Sequence, residues 1–315
     1  MHLRPGEVAL RCARLLTLLL VVATAMTSVR CSWWPCELLS HFPAQLAALA
    51  LLTLATFVVV GGMRGIVVSA AVAVWNVVAF VPFYASVPAP LVPPPTAAGV
   101  IRVVAMNVAV HNRDGQRVVR FIRATQPDVL VVTELNDFWV TVLEQLAVDF
   151  PFRRLDPRAG HLGIGLLSRL PLTALDDNPA GTHAVVARVS KPRFTIVGTH
   201  TRPPFTPRSL AIRNQQLVDI ATFVRRQREP VVVAGDLNSS SWSPVFEDFL
   251  REAGLRDTRL GRGVQPTWPA WLPLAQVPID HALVSAGVRV HARFVGGRVG
   301  SDHLPIVLDF SVDQP

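Results

Sequence analysis

Between Glu37 and Arg64, and again between Arg64 and Arg102, the chain carries no Asp, Glu, Lys or Arg. Each gap holds an apolar run of the roughly 20 residues that a helix needs to cross a bilayer. Ala, Val, Leu and Gly dominate both, as in membrane helices. The pattern predicts one span near residues 43–62 and another near 66–87. A third candidate, Leu15 to Val29, lies between Arg14 and Arg30 and extends back to Val8 if Arg11 and Arg14 snorkel to the interface. Its basic start, apolar middle and small residues near Ala23 and Ala25 also suit a secretory signal peptide. A retained anchor is the preferred reading, because two further spans follow. Residues 1–87 thus read as a membrane anchor with about three transmembrane helices.

Basic residues set the orientation. Arg4, Arg11 and Arg14 precede the first span, and Arg64 lies in the turn between the second and third. The excess of positive charge on cytoplasmic segments puts both inside. Three crossings then leave everything after residue 88 outside the cytoplasm, provided that the first segment crosses. Cys31 and Cys36 fall in the predicted external loop "RCSWWPCELL", as a small disulfide loop or as two unpaired thiols. Trp33 and Trp34 suit an interfacial belt.

Residues 88–99 form a proline-rich linker, extended and semi-rigid. Beyond it, residues 100–312 have the length of a single domain. Apolar strands are expected at 100–108, 128–135, 161–169, 183–190, 193–200, 230–236, 279–285, 288–295 and 305–312, with helices at 115–126, 138–147, 208–227 and 243–254. Hairpin-like pairs among crossovers predict an α/β domain of two packed sheets with helices outside. The net charge of +8 admits anionic lipid, nucleic acid or another phosphate-bearing ligand as a partner.

Five strands carry a polar residue at or near an otherwise apolar end. These are Asn107, Glu134, His200, Asp236 with Asn238, and Asp280 with His281. A sixth group, Ser301, Asp302 and His303, precedes the last strand. Burying so many polar groups is costly unless they share partners or a metal. Carboxylates and carboxamides without cysteine suit a hard cation: magnesium, or manganese or calcium. There is no zinc-type spacing and no Gly-rich phosphate loop. Histidine beside aspartate offers acid–base work, and together with a metal this suggests hydrolysis of a phosphate ester.

The ordered pieces "MNV", "PDVLVVTEL", "GIGLLSRLPL", "GTH", "GDLNSSSWSP", "TWP", "IDH" and "SDHLPI" cover most of residues 100–310. Together the set resembles the endonuclease/exonuclease/phosphatase (DNase I-like) superfamily. With "THTRPP" and "RNQQL" it also resembles a bacterial, membrane-anchored branch. The resemblance implies a four-layer α/β sandwich. It implies that Asn107, Glu134 and Asp302 serve the metal, with Glu134 as principal ligand. Asp236 would orient or deprotonate the attacking water, and Asn238 would position it or bind phosphate. His200 would contact the scissile phosphate, and His303, oriented by Asp280, would act as general base or bind phosphate. The family's usual Gln before the metal-binding Glu is Thr133 here. The expected activity is that of a membrane-tethered, divalent-metal-dependent phosphodiesterase of the bacterial cell membrane, its catalytic domain extracytoplasmic. Nucleic acid is the first expected substrate and a phospholipid headgroup the alternative. A non-catalytic phosphate-binding membrane protein is a third reading, and no obligate protein partner is expected.

Overall fold

The computed structural model describes residues 4–29, 33–85, 99–175, 179 and 182–313. The expected linker, apart from Gly99, and Cys31 lie outside the described residues. Cys36 is disulfide-bonded, whereas Cys12 is free and exposed.

Helix α1 spans Pro5–Ser28, α2 Trp34–Leu39, α3 Pro43–Val60, α4 Met63–Val78 and α5 Val81–Ala85. Proline enters α1, α2 and α3 in the first turn, where its missing N–H costs nothing. Two of these helices, over Gly6–Ser28 and Pro43–Val60, are long and apolar enough to cross a membrane. The expected third span differs. Its helix begins earlier, at Met63, and stops at Val78; α5 then turns to pack on the strand domain. That packing uses backbone: Gly261 and Gly263 donate N–H to Pro82 O and Phe83 O, at 3.2 and 2.8 Å.

The helical bundle packs an apolar core of Leu20, Leu46, Ala50 and Val72, crossed by a few buried polar side chains, and its exterior is apolar. Ser69 Oγ lies 3.2 Å from Thr17 Oγ1 and accepts from Thr53 Oγ1 at 3.0 Å, and Asn76 Nδ2 donates to Thr24 Oγ1 at 2.9 Å. Leu18, Leu19, Leu52, Val59, Val74 and Trp75 face outward. Interhelical hydrogen bonds inside an apolar exterior are how helices pack in lipid.

The remaining chain forms two six-stranded mixed sheets. The first contains β1 (Ile101–Asn107), β2 (Val129–Thr133), β3 (Phe152–Asp156), β4 (Ile164–Ser168), β11 (Val288–Val295) and β12 (Ile306–Val312), in the order β11-β12-β1-β2-β4-β3. The second contains β5 (Leu172–Ala174), β6 (Ala184–Val189), β7 (Phe194–His200), β8 (Val231–Asp236), β9 (Arg256–Asp257) and β10 (Asp280–Val284), in the order β5-β6-β7-β8-β10-β9. Their inner faces share one core through Val103, Val131, Leu166, Ile196, Val232 and Leu308. Helices α6 (Gly115–Thr125) and α7 (Asp137–Leu143) cover the first sheet, with Val118, Ile122 and Trp139 inward. Helices α8 (Pro207–Arg226) and α9 (Pro244–Ala253) cover the second, with Leu217, Ile220, Phe246 and Phe249 inward. The result is the expected four-layer α/β sandwich.

Each sheet has one central parallel pair, β1–β2 and β7–β8. Parallel neighbours bring their C-terminal ends to one edge, and those ends carry the polar residues.

Candidate active site

In the second sheet, His200 is in register with Asp236 across the parallel pair, and Asp280 faces Asp236 across the antiparallel one. In the first, Asn107 is in register with Thr133, the residue before Glu134. Five strand ends, of β1, β2, β7, β8 and β10, therefore meet in one place.

The backbone is bent for this purpose at three positions. Glu134 and Asn238 have φ of 61° and 45°, the left-handed region that costs most non-glycine residues energy. Gly235 has φ of 141°, and a Cβ there would stand 2.0 Å from Thr199 O. Only glycine allows β8 to pass that close to β7 immediately before Asp236.

The side chains interlock. Asn107 Nδ2 donates to Glu134 Oε1 at 3.0 Å and to Asp236 Oδ2 at 3.2 Å, while its Oδ1 accepts from Ala109 N–H at 2.9 Å. Glu134 Oε2 accepts from Val110 N–H and lies 2.9 Å from His161 Nδ1. His303 Nδ1 is 2.9 Å from Asp280 Oδ2, and its Nε2 is 3.7 Å from Asp236 Oδ2. His200 Nε2 is 3.5 Å from the same Asp236 oxygen. Asn238 donates its backbone N–H to Asp236 Oδ1 at 2.9 Å and its amide Nδ2 to Thr201 O at 2.8 Å.

Asp302 is placed differently. It is exposed, and its Oδ2 accepts from Trp268 Nε1 at 3.1 Å. It lines the same cavity but stands outside the Asp236–Asp280–His303 group, whose ligand atoms lie within 4.8 Å of one another. Trp268 also lines the cavity, its ring centroid 6.3 Å from that of His303. His281, grouped with Asp280 in the sequence, serves structure: its Nε2 is 2.7 Å from Ser239 O. His161 was not read from the sequence as a site residue. Its one signal is its position just ahead of the "GIG" strand that pairs with β2.

Charge in the site is unbalanced. Burial pushes the Asp236 carboxyl up to about 7, and the neighbouring Asp280 charge adds to this. Burial opposes a charge on His303, but Asp280 and Asp236 outweigh it and raise its pKa to about 10. Burial also opposes charge on Glu134; the Val110 N–H, Asn107 and His161 overcome it and lower its pKa. Burial holds His200 neutral, its pKa lowered to about 4. The protonated imidazole neutralises one of three neighbouring carboxylates. The remaining excess, presented as oxygen donors with a carboxamide between two of them, fits a hard divalent cation.

The cavity has a volume of about 400 Å³. Glu134, His200, Asp236, Asn238 and His303 form its polar floor. Among the described residues lining it there is no lysine or arginine.

Comparison with known proteins agrees with the fold. A family model described as the Endonuclease/Exonuclease/phosphatase family matches residues 104–303. Among solved structures, the endonuclease/exonuclease/phosphatase from Bacteroides vulgatus superposes with a TM-score of 0.55 at 18% identity, covering 68% of this chain and 99% of that one. The one from Beutenbergia cavernae gives 0.52 at 21%, over 68% of this chain and 72% of that one. D. rerio TDP2 complexed with a single-strand DNA product gives 0.53 at 15%, over 68% and 99%. These identities establish a shared fold. No curated protein sequence matches the chain.

Proposed function

This chain belongs to the endonuclease/exonuclease/phosphatase family, and from that premise we propose that it is a membrane-tethered, magnesium-dependent hydrolase of phosphoester bonds. The observation that carries the reading is the convergence of Asn107, Glu134, Asp236, Asp280 and His303 in one cluster of hydrogen bonds and ion-pair contacts.

Asn107 and Glu134 would hold the metal, and Asp302 would reach it from the rim. When bound, the cation polarises the phosphoryl oxygens and neutralises charge that develops on them. Asp236 orients the attacking water, with its Oδ1 held by the Asn238 N–H and its Oδ2 by the Asn107 amide, and accepts the water's proton. Asn238 positions the phosphate beside that water. Asp280 holds the His303 ring through Nδ1 and leaves Nε2 toward the reacting phosphate. His303, protonated at neutral pH, donates to a phosphoryl oxygen or to the leaving alcohol. Neutral, buried His200 offers Nε2 as a further donor.

The bundle supports an extracytoplasmic domain. A Cβ on Gly6 would lie 3.7 Å from Val60, so the start of α1 meets the end of α3. Arg4, Arg11, Arg14 and Arg64 thus gather at one end, and the strand domain docks at the other. By the positive-inside rule the domain stands outside.

The sequence places nucleic acid first as substrate, and one related fold holds a single-strand DNA product. The cavity favours the alternative, a lipid phosphoester. Strand binding relies on a basic groove along the phosphates, and the lining described above lacks one.

The test uses full-length protein in detergent with bis(p-nitrophenyl) phosphate and magnesium. His303→Ala and Asp280→Asn should each lower kcat by about 10²-fold or more with the fold intact by circular dichroism. Full activity in both variants would refute the assignment.

A further inference from the structure

The wall of the active-site cavity is built partly by the membrane segment. Leu38, His41 and Phe42, from the connector between α1 and α3, line the same cavity as Asp236 and His303. The contact is bonded rather than incidental. His41 Nδ1 is 2.9 Å from Ser240 Oγ, two residues past Asn238, and Trp34 Nε1 donates to Pro204 O at 2.8 Å. Phe42 caps α3, so the residue after it begins an 18-residue apolar helix. The cavity therefore lies beside the point where that helix would leave the bilayer.

Large apolar side chains stand exposed near this connector. Phe205, next to the bonded Pro204, is 68% exposed. Leu274, whose carbonyl accepts from Gln45 Nε2 of α3 at 3.1 Å, is 87% exposed, and Trp271 is 66% exposed. Large exposed apolar side chains gathered on one face mark a membrane or ligand surface. Beside the start of a span they match the aromatic belt of an interface.

We propose that this connector is the specificity wall of the enzyme: Leu38, Phe42 and Phe205 hold the apolar portion of a lipid phosphoester drawn from the bilayer surface, with its phosphate against Asp236, Asn238 and His303. The proposal rests on the phosphoesterase reading and names its substrate class. In the reaction one water is consumed. Its oxygen bonds to phosphorus, the P–O bond to one alcohol breaks, and the water's proton finishes on that alcohol. The connector adds no chemistry; it selects which ester reaches the floor.

The test uses full-length protein in vesicles. Hydrolysis is measured on bis(p-nitrophenyl) phosphate, on vesicle-borne phosphatidylglycerol, phosphatidylinositol phosphate and sphingomyelin, and on a single-stranded DNA oligonucleotide. Wild-type protein should show a higher kcat/KM on at least one vesicle-borne ester than on the oligonucleotide. Leu38→Ala with Phe42→Ala should lower the ratio of kcat/KM on that ester to kcat/KM on bis(p-nitrophenyl) phosphate about tenfold, the effect of lost apolar contacts in a pocket. Phe205→Ala, at a site too exposed to threaten folding, should move the ratio the same way. Preference for the oligonucleotide, or a ratio unchanged by both sets of variants, would overturn the proposal while leaving phosphoesterase activity standing. Failure to hydrolyse even bis(p-nitrophenyl) phosphate would remove the underlying reading and the proposal with it.

Discussion

Glu37, in the connector between the first two apolar helices, forms an ion pair with Arg213 of α8 in which both side chains are almost wholly buried. Ser243 Oγ donates to the same Glu37 oxygen at 2.7 Å. Burial opposes charge on Glu37, but Arg213, with help from His41, overcomes it and keeps the carboxyl below its usual range. A lone carboxylate in an apolar stretch requires a partner, and here the partner lies in the strand domain. Bundle and domain are thus joined by a contact that neither can satisfy alone.

Removing one member leaves the other charge buried and unpaired. Glu37→Leu and Arg213→Met should each destabilise the chain by roughly 3–5 kcal/mol. The double variant should cost clearly less than the sum. Thermal unfolding of the three proteins in one detergent measures this, and strict additivity would mean that the pair is not a coupled contact.

Gly235→Ala should be among the most damaging single-methyl changes. The added carbon meets Thr199 O at 2.0 Å in a backbone conformation closed to L side chains. A loss above about 2 kcal/mol is expected from strain and displacement of β7 from β8, together with lost activity, because Asp236 follows directly. Wild-type melting and turnover in Gly235→Ala would contradict the register described.

Stability should fall on mild acidification. Burial, aided by Arg259, holds His281 neutral with its pKa lowered to about 3, and burial lowers His41 to about 4. An unfolded histidine titrates near about 6.5. Between that value and about 4 the unfolded chain binds protons that the folded chain does not, so stability rises with pH across this window and is lost as pH falls through it. His303 acts oppositely: its raised pKa contributes stability that is present below about 6.5 and lost as pH rises through about 10. His281→Gln, which keeps a donor for Ser239 O, should flatten the slope between pH 6.5 and 4 in denaturant titrations. An unchanged slope would show that His281 titrates normally.

Much of the fold was legible because both sheets are buried on two faces. Strands such as "VVVAGD" and "FTIVGTH" are continuous apolar runs, and a polar residue ending one stands out. Of the four edge strands, β11 was legible but β3, β5 and β9 were not. "FRRLD" of β3 is half-buried throughout and shows no alternation, and β9 is two residues long. Asp302 reads like Asp236 in a motif, yet one flanks a rim turn and the other ends a central strand. The connector was hidden for another reason. Leu38 and Phe42 resemble any residues between two spans, and only docking against the loop after β8 gives them a cavity to line. Nor does the sequence pair Arg213 with Glu37, which lies 176 residues away.

The central claim is that one cation serves the cluster of strand ends, and hydrolysis of bis(p-nitrophenyl) phosphate against magnesium concentration tests it most directly, with full-length wild type compared with Glu134→Ala. The wild type should lose all activity in EDTA and regain it saturably with magnesium. Glu134→Ala should remain folded and lose at least about 10²-fold in rate at every concentration, as expected when a metal-holding group is removed. Equal rates with and without EDTA, or a Glu134→Ala curve that overlays the wild type, would contradict it.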